Sequence, residues 1–259
     1  MTNVQRQDLV VFDDNSVISS ALFSKETHSL ISIASAPVTS PFWLISAIME
    51  DLTLGVSNSF NETTESPPAK KYLGPITLVS FIHNAKYFAN AFSKIKIPPS
   101  SYKVVDLLTD FVLKNSGMPN HKVLSNILKS IPDNQSSVII LEQPEILLSL
   151  LDGLTSDDLH RKLINPVMRR CKLLVVTTKL RSLIQETKDG IEASRFTACT
   201  YYKSMAILSL RPLETGRAKD VTGCLRITRG GSANTLDCQV QENEYLYFNQ
   251  KENTRLFYR

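Results

Sequence analysis

The sequence predicts an α/β fold with a mainly parallel sheet. Three observations predict it: short apolar runs alternate with longer helical patterns as far as about Tyr201, several of the runs are unbroken in Val, Ile and Leu, and beyond Tyr201 only strand-like runs remain. Unbroken apolar strands belong in sheets covered by helices on both faces. A closing series of strands without helices belongs in antiparallel hairpins.

In chain order, the β-like runs are residues 8–12, 30–35, 76–82, 102–106, 138–142 and 173–178. Helical spacing occupies residues 42–54, 86–94, 107–114, 121–131, 144–151 and 156–168. Ser156 before Asp157 and Asp158 suits a helix start, since carboxylates sit well at the positive end of the helix dipole. After Tyr201 come YKSMAILSLRPL, GCLRITRGG, EYLYFN and RLFYR, with turns expected at Thr215-Gly216 and Gly230-Gly231. Residues 55–75, rich in Ser, Thr, Asn, Glu and Pro, read as a disordered surface loop.

A chain of 259 residues with 42% hydrophobic and 21% charged residues has enough apolar side chains for one sizeable core, so a single domain spanning residues 1–259 is expected. Its longest apolar runs, such as 138–141 and 173–176, fall far short of the roughly 20 residues of a membrane helix. The opening MTNVQRQDLVVFDDN lacks the pattern of a secretion signal. The chain is therefore expected inside the cell, in the cytoplasm with the nucleus left open. Cys171, Cys199, Cys224 and Cys238 contain no C-x-x-C pair, and the four histidines are as scattered, so neither a metal nor a disulfide framework is expected.

Charge is divided unevenly. Residues 1–159 carry 11 Lys and Arg against 16 Asp and Glu, and residues 160–259 carry 18 against 9, within an overall +4. A basic C-terminal part is able to steer a polyanion, and equally to do nothing of the kind.

The run LISIASAPVTSPFW has the strand, turn and helix of a phosphate-binding loop without its chemistry. A Walker A loop, G-x-x-x-x-G-K-[ST], uses glycines to converge backbone donors on phosphate and a lysine to neutralise it. The turn at residues 36–41 has neither, and Pro37 and Pro41 remove two donors. Thr39 or Ser40 is the expected helix cap. The strand ending in Glu142 has the shape of a Walker B element. Glu142 either orients water or a metal, or merely ends a strand before Pro144 opens a helix and Glu145 meets its dipole. Two sets of cations are candidate phosphate or partner contacts. Lys179, Arg181, Lys188 and Arg195 lie in a stretch, 179–200, that reads as a loop beyond a strand's C-terminal end, where ligands of open α/β sheets gather. Arg211, Arg217, Lys219, Arg226 and Arg229 recur along the C-terminal hairpin.

VQRQDLVVF, VSFIHNAKYFANAFSKIKIP, EQPEILLSLLDGLT, PLETGRAKDVTG, ENEYLYFN and KENTRLFYR together resemble the sixth-subunit family of the Elongator complex, in its budding-yeast form, from Val4 to Arg259. The resemblance implies a RecA-like fold that has lost its nucleotide motifs, with no cofactor and no catalytic residue of its own. It implies a hetero-hexameric ring with two copies each of this, the fourth and the fifth subunits, which binds tRNA and assists the catalytic part of Elongator in placing carboxymethyl-type groups on wobble uridine. The alternatives left open are a nucleotide hydrolase built around Glu142 and a purely regulatory protein-binding module.

Overall fold

The computed structural model describes residues 6–24, 27–57, 72, 74–109, 111–115, 117–180, 187–216, 218–232, 238–250 and 253–258. Among these residues ten strands form one sheet in the order β1-β10-β9-β8-β7-β2-β6-β5-β3-β4. β2 (Ser29–Ser35), β3 (Ile76–Ser80), β4 (Tyr102–Asp106), β5 (Val138–Glu142), β6 (Leu173–Lys179) and β7 (Ala206–Arg211) pair in parallel. β8 (Gly223–Arg229), β9 (Asn243–Asn249), β10 (Thr254–Tyr258) and β1 (Arg6–Gln7) extend that sheet antiparallel.

The parallel strands alternate sides because successive Cβ atoms point to opposite faces. In β5, Val138 and Ile140 join one apolar cluster while Ile139 and Leu141 join another. The first cluster receives α2 (Phe42–Leu54) and α3 (Ala85–Lys94). The second receives α5 (Asn120–Ser130) and the run from α7 (Ser156–Leu159) through a π-helical stretch, His160–Ile164, into α8 (Asn165–Arg169). α4 (Phe111–Asn115), α6 (Leu147–Leu150) and α9 (Lys188–Lys203) also place side chains there. Apolar residues on almost every side of α2 are buried, and Leu9, Val11, Phe12 and Leu22 belong to the same cluster, with the Ile18 amide donating to Asp51 of α2 at 3.0 Å. Each leucine buried this completely contributes about 1.5–3 kcal/mol. The short helix α1 (Ala21–Ser24) carries Leu22.

Several expectations are corrected. Residues 8–12 form no strand, and Phe12 makes only an isolated bridge to Val240. α7 is capped by Thr155, one residue earlier than expected, which accepts from the Asp158 amide. At the start of α2, Pro41 stands at the cap position with no side-chain bond, and Ser40 Oγ accepts the Phe42 amide at 3.4 Å, while Thr39 caps nothing there. The stretch 179–200 is not a loop, since α9 begins at Lys188. The expected loop at 55–75 lies mostly outside the described residues. The turn at Thr215-Gly216 is present, with Gly216 at φ +89°, a conformation other residues resist.

Candidate functional site

The registers align the C-terminal ends of the parallel strands. Ser35 stands beside Lys179, Glu142 beside Ser80, and Ser80 beside Asp106. Ligands of open α/β sheets bind beyond that edge, so its side chains decide what the fold can do there.

The turn after β2 occupies the phosphate-loop position and is closed on itself. Thr39 donates both its amide, at 3.1 Å, and its hydroxyl, at 2.7 Å, to the Ala36 carbonyl. The Ala36 amide is used by Leu210 O at 2.9 Å. From the neighbouring strand the Lys179 Nζ donates to Thr39 O at 2.7 Å. A lysine therefore stands near the phosphate position after all, but it braces the turn. Burial lowers the Lys179 pKa, and the nearby Glu145 carboxylate opposes that shift. Glu145 is itself fixed, its Oε1 accepting the Lys179 amide at 2.6 Å. At the apex, Val38 is 86% exposed and sits at φ +62°, a genuine outlier for a β-branched residue.

Glu142 is 2% exposed and engaged on both oxygens. Ser80 Oγ donates to Oε2 at 2.5 Å, and His83 Nδ1 lies 3.1 Å from both oxygens. Ser80 Oγ also accepts the Ile82 and His83 amides, which shapes the turn into α3. The His83 ring stacks on Tyr87 at 3.8 Å and 6°. Next door, burial raises the Asp106 carboxyl, but hydrogen bonds from the Thr109 hydroxyl and the Thr109, Leu108 and Ala85 amides outweigh it and hold its pKa below the ordinary value. His83 escaped the sequence reading because it lies 59 residues from Glu142. Only the β3–β5 pairing brings the two together, and no motif announces it.

The candidate cations do not form one patch. Lys188 opens α9, exposed, near the ligand edge, while Arg181 and Arg217 lie outside the described residues. Arg195 is half-way along α9, bonded to Glu192 at 3.0 Å and Asp157 at 3.4 Å. On the hairpin, Arg211 ends β7 at the ligand edge and Lys219 is exposed in the connection that follows. Arg226 lies across from Glu244. Arg229 pairs with Ala206 at the opposite edge of the sheet. Five residues of strand separate it from Arg211, about 17 Å.

No family model matches the chain. Its sequence is 41% identical over 273 aligned residues to Elongator complex protein 6 from Saccharomyces cerevisiae, covering 100% of both chains. The chain belongs to the Elongator complex protein 6 family. The fold is that of RecA-like ATPases: the flagellar accessory protein FlaH from Methanocaldococcus jannaschii superimposes on 93% of this chain and 97% of its own with a TM-score of 0.55 and 11% identity. A KaiC-like protein from Pyrococcus horikoshii OT3 aligns at a TM-score of 0.47, too low to add to that. In this Elongator family member the polar residues at the C-terminal strand edge bond to one another.

Proposed function

We propose that the chain is a non-catalytic RecA-like subunit of Elongator that assembles with the fourth and fifth subunits, two copies of each, into a ring of six that binds tRNA and supports wobble-uridine modification. The full-length identity to a protein named for that complex supports the assignment. The observation that carries the non-catalytic part is the brace from Lys179 to Thr39 across a turn with no glycine. Phosphate entering there would have to displace the Thr39 carbonyl from Lys179 and would meet two prolines in place of converging amides. Glu142 is 2% exposed and already bonded to Ser80 and His83, which weighs against its positioning a water as a hydrolase would.

The cations best placed for tRNA are Lys188, Arg211 and Lys219, exposed around the ligand edge and engaged in none of the ion pairs described among these residues. Arg195 is held by two carboxylates, and Lys179 acts as the brace. The testing experiment is light scattering of the chain with and without the fourth and fifth subunits, followed by tRNA titration at two salt concentrations. A mass of six chains and an affinity that falls steeply with salt are expected. A monomer indifferent to both partners would refute the proposal, as would ATP turnover by the isolated chain that Glu142→Gln abolishes.

A further inference from the structure

His83 and Tyr87 carry two polar atoms that no described residue engages. His83 is 29% exposed at the side chain, and Tyr87 is 37% exposed. His83 Nδ1 lies 3.1 Å from both Glu142 oxygens, and the tautomer that donates Nδ1–H to Glu142 presents Nε2 outward as an acceptor. Neither that Nε2 nor the Tyr87 hydroxyl has a hydrogen-bond partner among the described residues. The two rings are nearly parallel, and Phe42 and Phe88 meet Tyr87 edge-on at 5.1 and 5.6 Å, so the stack is held rigidly. Its surroundings are acidic. Glu142 lies directly behind His83, its charge raises the Tyr87 pKa after burial does, and Asp106 accepts the Ala85 amide at the start of the same helix. Lys86 is the adjacent cation on α3, one charge against two.

We propose that this His83–Tyr87 stack is a receptor for an arginine side chain of the neighbouring subunit, a proposal that rests on the ring reading above. The chemistry matches a guanidinium in three respects. It is planar and stacks on aromatic faces, it is a donor with no acceptor and so satisfies Nε2, and it is always cationic, which suits the two carboxylates. A nucleic-acid base would stack equally well, but its phosphates would face Glu142 and Asp106. Lysine would satisfy the charge without the stacking.

The test uses the full chain mixed with the fourth and fifth subunits. In one arm, His83→Phe with Tyr87→Ala removes the acceptor and half of the stack; a melting curve confirms that the variant is folded. Its ring should dissociate at about tenfold higher concentration than wild type. In the other arm a photoreactive phenylalanine replaces Tyr87, and its crosslink should map to a peptide of the neighbouring subunit that contains an arginine whose removal reproduces the tenfold loss. A double variant whose ring is as tight as wild type overturns the receptor, and so does a crosslink to tRNA or to a peptide without arginine. A wild-type chain that forms no ring overturns the assembly reading as well, and shows it before any variant is made.

Discussion

Replacing Lys179 by methionine separates two roles that one cation cannot fully play at once. The substitution keeps the apolar stem and removes the ammonium that donates to Thr39 O at 2.7 Å. A hydrogen bond to a charged group contributes about 1.5–3 kcal/mol net. Here burial of the ammonium offsets part of it, as the lowered Lys179 pKa indicates. A loss of about 1–2 kcal/mol is the resulting expectation, a fall in Tm of roughly 2–8 °C for a chain of this size. Amide exchange at Thr39, whose N–H closes the turn on Ala36, should accelerate with it. The slope of log affinity for tRNA against log salt should stay unchanged, because a brace contacts no phosphate. The opposite pattern, unchanged stability with a slope smaller by about 0.7–0.9, would refute the brace and make Lys179 a phosphate contact.

Val38→Asn should raise stability by about 0.5–1 kcal/mol, read as an increase in Tm, because asparagine tolerates the left-handed conformation that valine resists at φ +62°. His160, 5% exposed and held by Phe196 O and Lys203, has its pKa pushed down to about 4, chiefly by burial, so the unfolded chain binds its proton first. Its contribution is intact above about pH 6.5 and lost as pH falls towards 4, up to about 3 kcal/mol, and His160→Leu should flatten that part of a denaturation profile. Asp51 works in the other direction. Burial raises it to about 7, so the fold holds its proton more tightly than the unfolded chain, stability falls as pH rises from about 4 to 7, and Asp51→Asn should remove that fall in the same titration. Reversing Lys188, Arg211 and Lys219 to glutamate should lower tRNA affinity and its salt slope without changing Tm, as checked by filter binding and calorimetry.

Most strands were legible because buried parallel strands in this chain are unbroken apolar runs, and the ends of β2 to β6 agree within two residues. α9 was not legible, and the reason is specific. Ala193, Phe196, Thr197 and Thr200 share one buried face at helical spacing, yet two of them are threonines and disappear from an apolar count. The fold admits them because Thr197 and Thr200 return their hydroxyls to the carbonyls of Ala193 and Phe196 at 3.0 and 2.8 Å. Within the candidate site, the glycine-free turn and Glu142 could be read from the chain. Lys179 could be singled out for its charge, but its bond to Thr39 O could not be read from the chain, since the fold alone brings the two together.

The same pairings hold the polar groups of this edge without disturbing the core. The polar groups at the ligand edge have internal partners: the turn has Lys179, Glu145 has the Lys179 amide, and Glu142 has Ser80 and His83. These bonds hold polar groups at a half-buried edge in the satisfied state that burial demands. The network thereby fixes the directions in which Val38, His83 and Tyr87 face outward. If the edge is a rigid surface for a neighbour, Glu142→Gln should weaken ring assembly through the loss of His83 orientation while leaving any background ATP turnover of the preparation unchanged. Equal assembly by the two proteins would mean that the buried carboxylate serves stability alone.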